Sequence, residues 1–593
     1  MRAPRQALAF LAANAALVAL ALYAGTRPWI GELDSVVAAS LAGRWLPFAL
    51  VLATALTVAL AAHVPAASRG RVLVRHFLFY LTVPATLLVL RVSARPLNAE
   101  LGYVYLLFAA ALALHALAAL WSAARALSDR RVALLLAAIA FVIYLIVLPY
   151  DRTVAPTASD EPHYLLITQS LLYDHDLDLR NDYDGDRYSA FYPSRLPDIH
   201  GIVVGAAIYP IRDLGLPVLS VLPFAIAGRT GVLVLMSALG ALLAQQLYLL
   251  ARDLDLDRRA AFLGVAVVAL THPVLTYTTQ VYPELPVALA FVVAARLLRR
   301  GPLASRRDLA LASLALGTLP WLSTRAWFIV VGVGLVLAAA ALRPPDRLAR
   351  LLPAAAPFVA SVLLLSALNW RMFGMFMPSA GYFLIREQQE VLAYAPQVGA
   401  VGLLFDRDFG LVPRAAVYLL GFLGAARLWR ARRGHGWELA ALALGALLSF
   451  AYIADIAYWW ADGSPPSRYL LSTVPLLAAA VACGFETILE ASRARPALFA
   501  LLGATVAWSV FVTLVLAIDP GLRYDLAVDI RESGNAGALF TYLGRLVRPE
   551  PGLFFPSLVR IDVLSVALSV VWVAVSGALV LWGRRAAHGS LRT

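Results

Sequence analysis

The chain has 593 residues, of which 61% are hydrophobic and only 14% are charged, and its formal net charge is +13. A soluble chain carries about 25% charged residues, so this composition excludes an ordinary soluble protein. Apolar runs recur along the whole sequence, and many approach the ~20 residues that an α-helix needs to cross a bilayer. The sequence therefore predicts an all-α polytopic membrane protein. It lacks the alternating segments of about ten residues that are typical of outer-membrane barrels.

Two residue counts narrow the chemistry. The single cysteine, Cys483, stands in an apolar segment, which excludes disulfides within the chain and thiolate metal clusters. The chain contains no lysine, which rules out a Walker A lysine and Schiff-base catalysis. Arginine is therefore the only strong cation that could bind a phosphate group here.

About sixteen apolar segments are predicted to span the membrane. In chain order they are 7–24, 46–63, 76–91, 102–124, 132–149, 229–251, 260–279, 284–299, 308–322, 326–342, 349–368, 411–427, 438–456, 468–489, 497–518 and 562–582. No small-residue cleavage site follows the first segment, so it is predicted to be a retained span and not a signal peptide. The predicted organisation is a group of N-terminal extra helices (1–131), a core (132–368) and a C-terminal part (369–593).

The arginines predict the orientation. With the N-terminus in the cytoplasm, every arginine-rich loop falls inside, as the positive-inside rule requires. These loops are 69–75, 125–131, 299–307, 343–350, 427–433 and 583–585. The long polar segments 150–228, 369–410 and 519–561 then lie outside, and both termini lie in the cytoplasm. The basic pI reports this topology and requires no nucleic acid. An alanine-, leucine- and arginine-rich composition is typical of GC-rich bacteria, so the bacterial inner membrane is predicted.

The first long outer segment, 150–228, is dense with acids. Asp160 and Glu161 follow the predicted span 132–149, and carboxylates at the mouth of a span usually mark a site. The alternative is a helix start, with Asp160 as the cap and Pro162 in the first turn. Six further aspartates follow: Asp174, Asp176, Asp178, Asp182, Asp184 and Asp186. Their glycine spacing does not match an EF-hand. A solvated loop is predicted, and binding of a divalent metal ion stays open.

An acidic pair in the first outer loop of a helical core, followed by a helix that lies along the membrane, resembles the GT-C superfamily of glycosyltransferases. Protein O-mannosyltransferases and lipid A aminoarabinose transferases belong to it. The seven predicted spans from 132–149 through 349–368 match the seven-helix core of that family, and the resemblance covers roughly residues 132–414. It implies interfacial helices in the first core loop. It also implies inverting transfer of a sugar from a polyprenyl-phosphate donor to an exported glycan, lipid or protein acceptor.

The resemblance implies roles for particular acids. Asp160 is the implied catalytic base, which takes the proton from an acceptor hydroxyl as that oxygen attacks the anomeric carbon. Glu161 is implied as its partner, or as a ligand of a metal ion or of the acceptor. Glu284, in THPVLTYTTQVYPELP, stands in a loop where the family often has a second acid. Metal dependence stays open, because the family contains enzymes with and without a metal.

Arginines near the outer ends of spans are candidates for binding the donor phosphate, because the planar guanidinium fork suits phosphate oxygens. Arg325, in LPWLSTRAW, and Arg468, in YWWADGSPPSRYL, are the main candidates. Arg407 and Arg414, in FDRDFGLVPR, are weaker ones. The alternative for Arg325 is a pair with an internal acid, or a side chain that reaches the interface.

Aromatic and histidine side chains complete the predicted site. Trp459, Trp460 and Asp462 precede Arg468, and aromatic rings beside acids commonly stack on sugars. Tryptophan is equally an ordinary membrane-interface anchor. His163 follows the acidic pair, and His200 could line the entrance, although a lone histidine is more often a structural group.

Two other classes of protein remain open. A lipid or solute transporter would place charged or broken-helix sites near the middle of the bilayer and would show internal repeats. The sequence shows no repeat, and its carboxylates cluster at the outer edge, which favours an enzyme. An enzyme of the O-antigen-ligase type would keep this location but use a diphosphate-linked donor.

Overall fold

The computed structural model describes residues 127–154, 157–192, 195–196, 199–389, 395–461, 463–491 and 496–589. The predicted spans 7–24, 46–63, 76–91 and 102–124 lie outside these residues, and so does Asp462. The chain divides into two compact units. One comprises Met1–Pro156 and Leu514–Pro520, and the other comprises Thr157–Thr513 and Gly521–Thr593. In the first unit the structure describes a long apolar helix, α1 (Asp129–Val154).

The second unit is almost entirely helical. Its first helices are α2 (Glu161–Tyr173), α3 (Arg180–Asp184), α4 (Gly215–Asp253), α5 (Arg258–Leu270), α6 (Val274–Tyr277), α7 (Glu284–Leu297), α8 (Arg306–Leu322), α9 (Trp327–Leu342) and α10 (Arg347–Phe373). They are followed by α11 (Ala380–Gln389), α12 (Pro396–Phe405), α13 (Leu411–Arg414), α14 (Leu419–Asp455), α15 (Val474–Ala491), α16 (Pro496–Ile518, whose last turn belongs to the first unit), α17 (Ala527–Ser533), α18 (Ala538–Leu546) and α19 (Val563–Gly589). Short 3₁₀ turns include Thr324–Ala326 and Tyr469–Thr473.

Eight helical segments in the described ranges are long and apolar enough to cross a membrane. They are Asp129–Leu148, Gly215–Asp253, Thr324–Leu342, Arg347–Phe373, Gly436–Asp455, Tyr469–Glu490, Pro496–Ala517 and Val563–Arg585. The prediction of a helical membrane protein is therefore confirmed, whereas the count of sixteen spans is not.

Three predicted spans form helices of fewer than the ~20 residues that cross a bilayer. The segments 260–279, 284–299 and 308–322 contain helices of 13, 14 and 17 residues. In the first of them α5 ends just before Pro273, whose ring cannot continue a helix. A fourth predicted span, 411–427, is joined to the following one within α14.

Helix α14 turns back on itself. It has 37 residues, so a straight helix of that length would be about 55 Å long. The ten-residue helix α12 nevertheless contacts both ends of α14. Gly399 packs against Ala454, and Phe405 shares a core cluster with Leu419. Since α12 is only about 15 Å long, the two ends of α14 lie close together and its two arms correspond to two predicted spans.

The first outer segment contains a small β-hairpin that the sequence analysis did not predict. Strands β1 (Gly201–Val204) and β2 (Ala207–Pro210) pair in antiparallel fashion, with Gly201 opposite Pro210 and Val204 opposite Ala207. The two-residue turn begins at Gly205, which has a φ of +61°. Only glycine adopts that conformation without strain, so the turn fits its sequence.

Helix α2, which begins at Glu161 of the acidic pair, is mostly buried. Nine of the 13 residues of α2 are buried, among them Glu161 and His163. The exposed apolar face belongs instead to the first arm of α4, before its kink at Gly228. Val218, Leu222 and Ile226 repeat every four residues there and are 54%, 71% and 76% exposed.

Candidate active site

Asp160 stands at the first turn of α2, but its carboxylate does not cap the helix. The residue has helical backbone angles, and its side chain accepts no hydrogen bond from the helix N–H groups. Oδ2 accepts a hydrogen bond from Arg468 Nη1 at 2.8 Å, and Oδ1 lies 2.5 Å from Arg212 Nη2. The residue is only 6% exposed. A buried carboxylate is thus held between two guanidinium groups, and the helix-cap interpretation does not describe it.

Arg468 links two carboxylates that are far apart in sequence. Its Nη1 donates to Asp160, and its Nε donates to Glu284 Oε1 at 2.8 Å. The guanidinium carbon lies 4.3 Å from the centroid of the Tyr282 ring, which adds a cation–π contact. Burial alone would lower the pKa of Arg468, but Glu284 and Asp160 raise it well above its ordinary value. Arg468 is therefore a permanent, oriented cation.

The two arginines also determine the basicity of Asp160. Burial alone would raise its pKa, but Arg212 and Arg468 together lower that pKa far below its ordinary value. The carboxylate is ionised at neutral pH, as a base must be. A carboxylate with so low a pKa nevertheless accepts a proton poorly while both guanidinium groups remain on it.

Two of the cations in this cluster were not identified from the sequence. Arg212 follows β2, and Arg229 is the first residue after the kink of α4 at Gly228. Arg229 Nη2 donates to Glu161 Oε1 at 3.2 Å, and Glu161 is fully buried. Arg229 could have been found, because an arginine at the start of a predicted span needs an acidic partner. Arg212 carried no comparable signal.

The two predicted histidines lie together beside Asp160. The rings of His163 and His200 stack at 3.7 Å between centroids, with an interplanar angle of 16°. His200 Nδ1 lies 3.0 Å from Arg212 Nη2 and 3.7 Å from Asp160 Oδ1. A guanidinium can only donate, so Nδ1 accepts and the neutral ring carries its proton on Nε2.

His163 is also neutral. Its Nδ1 lies 3.0 Å from the hydroxyl of Tyr183, which in turn accepts a hydrogen bond from the backbone N–H of His200 at 3.2 Å. Burial, followed by the neighbouring His200, lowers the pKa of His163 to about 3. His163 therefore adds no positive charge to the cluster at neutral pH.

Arg325 lies beside this cluster, next to an aromatic ring that Arg468 also approaches. Its guanidinium carbon is 4.5 Å from the centroid of Tyr469, and that of Arg468 is 5.7 Å from it. The turn that carries Arg325 is fixed by Asp213, which accepts hydrogen bonds from Thr324 N at 2.9 Å and Thr324 Oγ1 at 2.8 Å. Burial raises the pKa of Asp213 to about 6, although Thr324 and Arg325 oppose that rise.

Arg407 and Arg414 form their ion pairs in a second cluster. In the described part of the chain, Arg407 pairs with Asp408 at 3.0 Å and Arg414 with Asp525 at 3.7 Å. Asp406 accepts backbone hydrogen bonds from residues 408, 409 and 558, at 2.9, 2.9 and 2.6 Å. This cluster fastens the turn before α13 to the segment between α16 and α19. The donor phosphate predicted for these two arginines would have to compete with those acids.

The two tryptophans are packed into the protein. Trp459 is 4% exposed and lies against Gly402, where an added Cβ would come within 2.3 Å of the indole ring. Trp460 is 7% exposed, and the guanidinium of Arg531 lies 4.7 Å from the centroid of its ring. A sugar could stack on either ring only after these contacts open.

The described residues contain no ready-made cluster of ligands for a divalent metal ion. No group of three or more histidine, cysteine, aspartate or glutamate side chains in those ranges could hold one. Both oxygens of Asp160 are already engaged by arginines. In the aspartate run, Asp174 pairs with Arg187, and Asp178 Oδ1 accepts backbone hydrogen bonds from Arg180 and Ile208. These carboxylates organise their own loop.

Comparisons with known proteins give similar solved structures only at low sequence identity. No family model and no curated protein matches the chain. Among solved structures, the oligosaccharyltransferase AglB of Archaeoglobus fulgidus is similar to it, at 14% to 15% sequence identity.

Two of these structures contain a bound peptide. One has an acceptor peptide with the NVT sequon tethered by a disulfide bond; its TM-score is 0.38, and the match covers 67% of this chain and 55% of that one. Another is a complex with an inhibitory peptide and a dolichol-phosphate; its TM-score is 0.37, with coverages of 71% and 60%. The chain thus spans less than two thirds of the length of that enzyme. Its function has to be inferred from the geometry of its own residues.

Proposed function

We propose that this chain is an inverting glycosyltransferase of the GT-C type in the bacterial inner membrane. It moves a sugar from a polyprenyl-phosphate donor to an exported glycan, lipid or protein on the extracytoplasmic face. The observation that carries the proposal is the buried arrangement of Asp160 between Arg212 and Arg468. Two oriented guanidinium groups converge on the Asp160 carboxylate. The guanidinium groups supply a site for the donor phosphate, and the carboxylate supplies the base that this reaction needs.

The position of the cluster supports an extracytoplasmic site. Helix α7 begins at Glu284 in the cluster and ends near Arg296, which pairs with Asp253 at 2.7 Å. Arginines from the predicted inner loops gather at that far end, where Arg350 donates to the Ala304 carbonyl at 2.8 Å. The candidate site is thus at the end opposite to the arginine-rich loops. By the positive-inside rule, that end faces outward.

The donor phosphate would replace Asp160 as the partner of the two arginines. A phosphate presents two or more oxygens to guanidinium forks, as the two oxygens of Asp160 do here. Glu284 keeps Arg468 oriented by accepting a hydrogen bond from the Nε atom of Arg468. Arg325 supplies a further cation next to the Tyr469 ring. The same arginines then stabilise the negative charge that develops on the phosphate as it leaves.

This exchange would activate the base. Once the arginines bind phosphate, Asp160 loses the two cations that lower its pKa, and its affinity for a proton rises. The acceptor hydroxyl then attacks the anomeric carbon and forms the new glycosidic bond. The bond between that carbon and the phosphate oxygen breaks, and the polyprenyl phosphate leaves with the electron pair. The hydroxyl proton passes to Asp160, so charge and atoms balance.

The test is sugar transfer from a polyprenyl-phosphate donor by the purified full chain in nanodiscs. Asp160→Asn keeps the size of the side chain but removes the base, so we expect the rate to fall about a hundredfold or more. Asp184→Asn is the matched control, since Asp184 is an exposed aspartate in the same outer segment. Transfer at the wild-type rate by Asp160→Asn would remove Asp160 from the catalytic role.

A further inference from the structure

A second arginine cluster surrounds a cavity at the end of the helices opposite to the candidate active site. The cavity has a volume of about 280 Å³ and lies between α4, α7 and the first turn of α8. Its lining residues are Gln246, Val293, Arg296, Leu297, Arg299, Arg300 and Asp308. Three of these seven residues are arginines, and two are apolar.

The carboxylates near this cavity leave one arginine without an ion-pair partner in the described part of the chain. Asp253 is shared by Arg296 and Arg299 through its two oxygens. The buried side chain of Glu438 also interacts electrostatically with Arg296 and Arg299. Asp308 Oδ2 accepts a hydrogen bond from the Ser305 backbone N–H at 3.2 Å, as part of the capping box of α8. Arg300 is exposed and makes no ion pair with any residue that the structure describes, so it is the arginine that is available to bind an anion.

The depth of the cavity fits a membrane surface. Helix α7 has 14 residues, so about 20 Å separate Glu284 at its start from the cavity wall at its end. Leu297 and Val293 lie on the last turns of that helix, beside the arginines that follow it. Arg296 lies between these two residues in the last turn of α7, and Arg299 and Arg300 follow the helix. The lining thus combines apolar and cationic side chains, as an anionic phospholipid combines an acyl chain with a phosphate.

We propose that this cavity binds the phosphate headgroup of an anionic phospholipid from the leaflet opposite to the candidate active site. Arg299 and Arg300 hold the phosphate, and the acyl chain lies along Val293 and Leu297. Basic pockets between transmembrane helices are known to bind such headgroups, and each nearby arginine adds about 1 kcal/mol. The inference stands apart from the proposed glycosyl transfer, because none of its residues belongs to the Asp160 cluster.

The test is native mass spectrometry of the full chain in detergent, titrated with phosphatidylglycerol or with phosphatidylcholine. The wild type should retain phosphatidylglycerol in preference to phosphatidylcholine. Arg300→Gln should weaken phosphatidylglycerol binding about fivefold, and Arg299→Gln with Arg300→Gln about 25-fold. Arg347→Gln is the control, since it removes an exposed arginine at the same end that does not line the cavity.

Two further measurements make the outcome decisive. Arg300→Gln alone should keep the wild-type melting temperature, because Arg300 has no ion-pair partner among the described residues. Inorganic phosphate, added at constant ionic strength, should not displace the bound lipid. If it competes as well as added phosphatidylglycerol does, the site binds a free anion and the lipid assignment is wrong. Equal phosphatidylglycerol binding by the wild type, Arg300→Gln and the double variant would overturn the proposal.

Discussion

Replacing Arg468 by glutamine should destabilise the protein strongly, apart from any effect on activity. Arg468 is 4% exposed, and its two partners Asp160 and Glu284 are 6% and 5% exposed. Asp160 would keep Arg212 after the change. Glu284 would keep no ion-pair partner among the described residues, and its Oε2 already accepts no hydrogen bond there. Removing one partner of a buried pair costs about 3–5 kcal/mol, so we expect the free energy of unfolding to fall by that amount.

A second substitution separates the lost ion pair from the orphaned charge. Glu284→Gln in the Arg468→Gln background removes the carboxylate that was left without a cation. The double variant should therefore be more stable than Arg468→Gln alone by about 2 kcal/mol, since an unpaired buried charge is the main cost. Arg347→Gln, at an exposed position, should leave the free energy of unfolding within about 0.5 kcal/mol of the wild type.

The assay is equilibrium unfolding in mixed detergent micelles. The wild type, Arg468→Gln, Glu284→Gln, the double variant and the Arg347→Gln control are measured side by side. The cycle gives the coupling free energy between Arg468 and Glu284 directly. If Arg468→Gln and the wild type unfold at the same detergent composition, the pair does not stabilise the fold as its geometry indicates. If Glu284→Gln fails to recover stability in the Arg468→Gln background, the loss comes from packing around Tyr282 and not from the charge.

Two other predictions concern packing and topology. Gly424→Ala should lower the free energy of unfolding by about 1–3 kcal/mol, because a Cβ at Gly424 would lie 2.0 Å from the Ala480 carbonyl oxygen of α15. Gly503→Ala is the control in the same unfolding assay, since a Cβ at that helical glycine meets no neighbouring atom within 4 Å. If Gly424→Ala leaves the free energy of unfolding unchanged, the close contact with Ala480 is contradicted. A cysteine introduced at the exposed Ser189 should react with an impermeant reagent added outside intact cells, against a background in which Cys483 is buried. Labelling only after the membrane is opened would reverse the predicted orientation.

The sequence identified the acids of the candidate site but not all of their partners. Asp160 was singled out because carboxylates at the mouth of a span are costly and usually mark a site. Arg468 was singled out because its guanidinium suits phosphate oxygens, and Glu284 because the family resemblance implies a second acid in its loop. Their mutual contacts could not be predicted, since Arg468 lies 308 positions from Asp160 and 184 from Glu284. Arg212 was missed because it follows an unpredicted hairpin, and a short polar loop has no hydrophobic period to indicate where its side chains meet.

Membrane-span prediction succeeded where apolar length alone decides and failed where the helices are interrupted. The segments 326–342, 349–368 and 562–582 correspond to long helices of the structure. The segment 260–279 has the same apolar composition, but Pro273 divides it into α5 and α6. Composition likewise could not place Trp459, because an indole at an interface and one buried against Gly402 have the same sequence context.

The exchange of partners proposed for Asp160 has a consequence for binding that is opposite to its effect on catalysis. In the wild type, the donor phosphate must take Arg212 and Arg468 from a buried carboxylate, which means giving up contacts of 2.5 and 2.8 Å. Asparagine at position 160 is neutral and holds the arginines less tightly. Because a hydrogen bond to a charged group contributes about 1.5–3 kcal/mol, Asp160→Asn should bind polyprenyl phosphate at least about tenfold more tightly than the wild type.

The affinity would be measured in nanodiscs with polyprenyl phosphate itself, which carries no sugar and so cannot react. Adding Arg212→Gln should abolish the gain, because the phosphate then loses one of the two guanidinium groups for which Asp160 competes. Weaker or equal binding by Asp160→Asn would mean that Asp160 and the phosphate do not share these arginines, and the phosphate would then have to be sought at Arg325.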